Sequence, residues 1–249
     1  MTDFQQYFDE SHQLIRDSVR RSSSARCCRT SMNGRRPGIS PRTLSQGRRG
    51  RDPRHRYPEA YGGSCEGDLF AKVAASEEPM RCGSGGLVAG LGSLDIGLPP
   101  VARAGPSRGA RAGSAGGAAR REDHGPGGHR ALRRLRRGQP EDRAVRDGDH
   151  YRVSGSKTFI TSGVRADYYT VAVRTGGEGF AGISLLLVEK GTAGFSVGRK
   201  LKKMGWWASD TAELFFDDCR VPAENLIGVE NAGFACIMAN FQRERRPWR

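Results

Sequence analysis

The 249-residue chain has no run of about 18 apolar residues, so no membrane-spanning helix is expected. Cysteine is scarce and scattered: Cys27, Cys28, Cys65, Cys82, Cys219 and Cys236 form no C-x-x-C pair, and no paired His stands at zinc-ligand spacing. The adjacent Cys27 and Cys28 are too little for a metal site, and no metal is expected. The opening MTDFQQYFDESHQ is acidic and polar, which does not fit a secretory signal. A reduced, cytoplasmic protein is therefore the expectation. Neither G-x-x-x-x-G-K-[ST] nor G-x-S-x-G occurs, which sets aside P-loop and nucleophile-elbow chemistry.

Two stretches lack something more unusual. Residues 21–56 and 104–142 contain no lysine, although they carry eleven and nine arginines. They also hold almost no large apolar residues, only Leu132 and Leu135 in the second. Such composition buries too little surface to offset the entropy of ordering a chain. The overall charge of +14 sits in these two stretches, and the remainder is close to neutral. Charge on this scale points to an anionic partner in general. However, arginine without lysine, mixed with glycine, alanine and proline, is also what a GC-rich gene yields when read out of frame. Compensating frameshifts near codons 21, 56, 104 and 142 are the corresponding expectation.

What is present is pattern elsewhere. Residues 3–20 place Phe4, Tyr7/Phe8, Ile15 and Val19 at helical spacing, with Arg16 and Arg20 on other faces. The run GDLFAKVAASEEPM predicts a helix with Leu69, Val73 and Met80 facing a core, ended or interrupted by Pro79. GSGGLVAGLGSLDIGLPPVAR reads equally as a packed helix or a loop. From Arg143 the period becomes two. Asp147-Gly148 predicts a hairpin turn, and strands are expected at 157–161, 168–174, 182–189, 195–200 and 211–217. Many short antiparallel strands imply a small barrel or sandwich. A final helix is expected to carry Phe234, Ile237/Met238 and Phe241 on one face.

Three further patterns dissolve on inspection. Gly177 to Gly182 fits G-x-G-x-x-G, but a strand-like ISLLLVEK follows where a dinucleotide site needs a helix. Ser154 to Lys157 fits S-x-x-K, yet lies in a predicted hairpin and not at a helix start. Lys200, Lys202, Lys203, Trp206 and Trp207 read as an exposed rim of the β-domain in preference to a stacking platform for nucleic acid.

Five pieces in order resemble the acyl-CoA dehydrogenase family: the first helix, PEAYGG, SGSKTFITSG, KLKKMGWWASDTAELFFDDCRVPAENLIG and NFQRER. The resemblance implies an α+β architecture. A helical domain would span 1–142, a central antiparallel β-barrel or sandwich 143–228, and the first part of a C-terminal helical bundle 229–249. It implies FAD as cofactor, with Phe159 packing on the flavin ring, Thr161 hydrogen-bonding it, and Ile160 and Ser162 completing the contact. It also implies Glu244 as the base that removes the α-proton of an acyl-CoA, with Arg245 and Phe241 toward the substrate. Electron-transfer flavoprotein would be the electron acceptor, intact relatives would be homo-oligomers (dimers or tetramers), and nucleic acid is not expected as a partner. Where the family carries T-E-P-x-x-G-S-D, this chain has HRALRRLRRGQPED, and most of the bundle would lie beyond Arg245. A truncated member of the family is therefore expected. The second reading is an Arg-rich nucleic-acid-binding protein, or a flavin-free pseudoenzyme on the same scaffold.

Overall fold

The structure is a computed structural model and describes residues 4–32, 68–81, 83–104, 124–126 and 142–245. PEAYGG and most of the two arginine-rich stretches lie outside the described residues, as do the side chains of Cys27 and Cys28. The contacts divide the chain into two units, Met1–Leu91 with Lys203–Ser209, and Gly92–Lys202 with Asp210–Arg249.

The first unit is helical. A short 3-10 turn, Phe4–Tyr7, precedes α1 (Glu10–Met32); α2 (Leu69–Met80) and α3 (Gly85–Leu91) follow. Helix α1 thus continues through Met32, twelve residues beyond the expected end at residue 20. Its buried stripe is His12, Arg16 and Val19, spaced i, i+4, i+7. Arg16 therefore faces inward, contrary to expectation. Its guanidinium lies 4.0 Å from the Phe8 ring centroid and donates to Glu77 Oε2 at 2.7 Å.

Helix α2 begins where Asp68 Oδ1 accepts the N–H groups of Phe70 and Ala71, at 2.8 and 3.2 Å. Its buried positions are Ala71, Ala74, Ala75, Glu78 and Pro79. The expected core residues fare differently: Val73 is half-buried, Met80 is exposed, and the side chain of Leu69 lies outside the described residues. Small residues let α1 approach closely enough for charged groups to meet. Arg20 grips Glu78 through two bonds of 2.8 and 2.9 Å. That pairing with Arg20, opposed by burial, holds the Glu78 carboxyl below its ordinary range. Pro79 falls in the last turn, where the helix was expected to end. The ambiguous glycine-rich stretch is helical. On α3, a Cβ at Gly86 would lie 2.8 Å from Trp206 Cα, so only glycine fits there.

The second unit is a mixed sheet with two helices, α4 (Leu94–Ala104) and α5 (Gly233–Arg245). Its strands are β1 (His124–Pro126), β2 (Arg143–Asp147), β3 (His150–Thr161), β4 (Tyr168–Arg174), β5 (Ile183–Glu189), β6 (Phe195–Lys200), β7 (Thr211–Pro222) and β8 (Leu226–Ile227). Their order is β6-β7-β3-β2-β4-β5-β8, with β1 beside β4. Two features depart from the antiparallel expectation. β1 and β4 run parallel, and so do β2 and β4, the latter through the pair Arg143 and Arg174. β1 also lies inside the 104–142 stretch, where no pattern was expected.

The hairpin turn is shifted by one residue. Asp147 pairs with His150, so Gly148 and Asp149 form the loop, and Gly148 takes the positive φ of 62°. Side chains from both halves of the sheet share one core: Tyr151, Val153, Ile160, Leu214, Phe216 and Val221 from β3 and β7, with Tyr169, Val171, Val173, Leu186 and Val188 from β4 and β5. β4 and β5 are buried on both faces, because α4 and α5 cover the side away from this core.

One buried charge pair sits among these strands. Lys157 Nζ donates to Asp142 and to the carbonyl of Ala172, the latter at 2.9 Å. Gly155, at φ 148°, lets β3 pass Asp142; a Cβ there would lie 2.8 Å from Asp142 Cα.

Candidate functional site

The candidate site is built at the end of β3. Pairing with β7 slips between Lys157 and Ile160, a bulge that leaves Thr158 and Phe159 out of the regular ladder. Phe159 adopts φ 60° and Ser162 the same value. Non-glycine residues in this region cost about 1–3 kcal/mol each, and such strain concentrates at functional sites. Phe159 is 59% exposed although its neighbour Ile160 is 1% exposed in the core. The bulge thus turns one aromatic ring outward from an otherwise inward-facing strand end.

The following turn is tightly held. Ser162 N donates to the carbonyl of Asp210 at 3.0 Å, and the Ser162 carbonyl accepts from Arg165 and Ala166. Asp210 Oδ2 accepts from Val164 N at 2.8 Å, and Asp210 Oδ1 pairs with Arg165 Nε. Tyr169 donates its hydroxyl to the Gly163 carbonyl at 2.8 Å, and burial raises its pKa above the ordinary tyrosine value. The Ser162 hydroxyl meets Ser93 Oγ at 2.5 Å. The turn that follows the exposed ring is therefore rigidly held.

Of the residues expected to meet a flavin, Phe159 is the one whose side chain faces outward. Thr161 is half-buried and pairs with Thr211. Ile160 departs from the expectation: its side chain packs in the sheet core, leaving backbone as its means of contact. Ser162 is fully buried, with its hydroxyl turned to Ser93. Phe241 is half-buried on α5, while the side chains of Glu244 and Arg245 lie outside the described residues. The helical register puts position 244 in line with Gly233, Ile237 and Asn240, the buried face of α5, and position 245 in line with Phe234 and Phe241.

Asp210, Arg165 and Ser93 were not singled out from sequence. Asp210 stood in the quoted S-D-T run, which was the available signal; Ser93 carried none. The patterns set aside stay set aside. Gly177–Gly182 is a loop and 3-10 turn leading into β5, and Ser154 and Lys157 lie within β3. Trp206 and Trp207 are exposed, and Trp207 Nε1 donates to the Lys203 carbonyl at 2.7 Å. Among the described residues no cluster of His, Cys, Asp or Glu could hold a metal, and no helix is long and apolar enough to cross a membrane.

The bulged β3–β7 pair, with its exposed aromatic and buried serine, belongs to a recognisable class of β-domain. Residues 135–219 match the acyl-CoA dehydrogenase middle domain, a match that starts inside the second arginine-rich stretch. Over this domain the chain is similar to the acyl-CoA dehydrogenases. Over 102 residues it is 52% identical to isobutyryl-CoA dehydrogenase, mitochondrial, of Dictyostelium discoideum, a match covering 41% of this chain and 24% of the relative. The chain thus spans about a quarter of the length of the curated relatives it matches. A probable acyl-CoA dehydrogenase structure from Mycobacterium abscessus superimposes with a TM-score of 0.77 at 38% identity, covering 95% of this chain and 62% of that one. A structure described as the electron transferring flavoprotein of Acidaminococcus fermentans gives 0.87 at 29% identity, covering 99% and 64%. The similar proteins include mitochondrial and bacterial ones, so a cytoplasmic location does not follow from them.

Proposed function

We propose that the chain holds FAD and an acyl-CoA thioester for α,β-dehydrogenation to the 2,3-enoyl-CoA. The observation that carries this reading is Phe159, an aromatic side chain held 59% exposed at φ 60°, three residues before a fully buried Ser162. An aromatic face so presented suits a planar ring and excludes water from it. The residues present fit the flavin in this respect, and Phe159, the Ile160 backbone, Thr161 and Ser162 would hold it. The flavin would supply an acceptor for the β-hydrogen and its electron pair. Thr161 would hydrogen-bond the cofactor while Ser162 fixes the turn that follows it. Glu244 receives the α-proton on its carboxylate, a task favoured by an apolar surrounding that raises a carboxyl's proton affinity. Arg245 meets the anionic CoA portion, which a guanidinium recognises well, and Phe241 borders the acyl end.

The relatives support this assignment and its substrate class, since they include isobutyryl-CoA and long-chain acyl-CoA dehydrogenases. Electrons then pass to an electron-transfer flavoprotein, and the complete assembly is a homo-oligomer. Its organisation is a helical domain over 1–142, a β-domain over 143–228 and the beginning of a helical bundle over 229–249. The test is dye-linked oxidation of isobutyryl-CoA and of a long-chain acyl-CoA by the full chain with added FAD. Turnover that Glu244→Gln abolishes without loss of FAD supports the reading. No FAD-dependent oxidation of either thioester overturns it.

A further inference from the structure

Helix α4 begins with a built-in defect. Pro100 has no N–H to return to the carbonyl of Ile96, four residues back. Asn240 on α5 fills the gap, donating Nδ2 to that carbonyl at 3.0 Å. The next carbonyl, of Gly97, accepts from Thr170 Oγ1 of β4 at 2.9 Å. The first turn of α4 is therefore tied by side chains to the sheet and to α5. Ser93 stands at the head of this turn, its carbonyl accepting from Ile96 and Gly97. Ser93 is 1% exposed and Ser162 0%, with their hydroxyl oxygens 2.5 Å apart.

We propose that Ser93 is a positioning residue for the loop at the end of β3. Its hydroxyl, anchored on a pinned helix start, holds Ser162 in its left-handed turn and so fixes the aim of Thr161 and Phe159. The Ser162 side chain has a polar end inside the protein and needs a partner there. Arg165 Nη2 offers only a long contact of 3.4 Å, so Ser93 is the close one. The functional consequence rests on the flavin reading given above; the mechanical one does not.

The two are separated by measuring amide hydrogen exchange and FAD affinity on the full chain, in wild type, Ser93→Ala, Ser162→Ala, the double variant and Ser93→Thr. Expected for Ser93→Ala is roughly tenfold faster exchange at Ser162, Gly163, Arg165 and Ala166, the size of a lost hydrogen bond. The β4–β5 ladder should be unchanged. Ser162→Ala should match it, the double variant should be no worse than either single change, and Ser93→Thr should restore protection. FAD affinity should fall in step with protection. Unchanged exchange in the loop overturns the proposal, as does acceleration spread equally over β4 and β5. If wild type takes no FAD while Ser93→Ala still loosens the loop, the positioning role stands and the flavin reading fails. If FAD binds and Ser93→Ala alters neither quantity, the positioning role fails alone.

Discussion

The helical unit and the sheet unit bury their surfaces with different materials. In the sheet unit the inward positions are large and apolar: Tyr151, Tyr169, Ile160, Leu186 and Leu214 are each at most 1% exposed. In the helical unit they are mostly alanines on α2, against His12, Arg16 and Val19 on α1, with Glu78 and the Leu87 of α3 each at 2% exposure. The sheet depends on apolar area removed from water. The helices depend on close approach and on paired charges, which are worth less and respond to pH. A loop that must present a strained aromatic ring is carried by the first kind of material.

The largest way to probe this contrast is to hollow out the sheet. Leu214→Ala should destabilise the chain by about 2–5 kcal/mol, the range for a buried leucine left as a cavity, read by urea unfolding. A loss under about 1 kcal/mol would mean that the shared core is not what holds the strands.

Next comes the charged side. Glu78→Gln should cost about 1–3 kcal/mol, since a buried acceptor loses its charge against Arg20. The same change has a pH signature. The folded-state pKa of Glu78 lies below its ordinary value, through Arg20 first. Its contribution is therefore complete above the ordinary carboxyl range near 4.3. It is lost as pH falls through the depressed folded value. Wild type should lose stability more steeply than Glu78→Gln on acidification. Parallel curves would remove Glu78 from the explanation.

Smaller still is the effect on folding at the site. Phe159→Ala removes an exposed ring from a strained position, so stability should move by no more than about 1 kcal/mol. Thiol labelling should show the same asymmetry within the sheet unit. Burial pushes the Cys219 thiol up to about 11, so it should react far more slowly than half-buried Cys236. Equal rates would mean the core opens readily.

This contrast also explains what could be read from the residues. The period-two stretches between Arg143 and Pro222 were legible because large apolar residues mark the inward face. The expected strands match the observed ones to within a residue at β4, β5 and β6. The expected helix core at Val73 and Met80 failed for the opposite reason. A face of Ala71, Ala74 and Ala75 has little hydropathy to betray it, and a buried Glu78 reads as solvent-facing. Phe159 was legible through a motif, but its outward aim depends on a bulge and a positive φ, which no residue spacing announces. Ser93 was invisible: its role arises from a contact 69 residues away in sequence.

The central claim, that the end of β3 presents Phe159 to a flavin, is tested most directly by titrating the full chain with FAD and following flavin fluorescence. Wild type should bind saturably, and Phe159→Ala should weaken binding roughly tenfold, the scale of one aromatic stacking contact, while its unfolding midpoint stays in place. Binding of equal strength in both proteins would contradict the account.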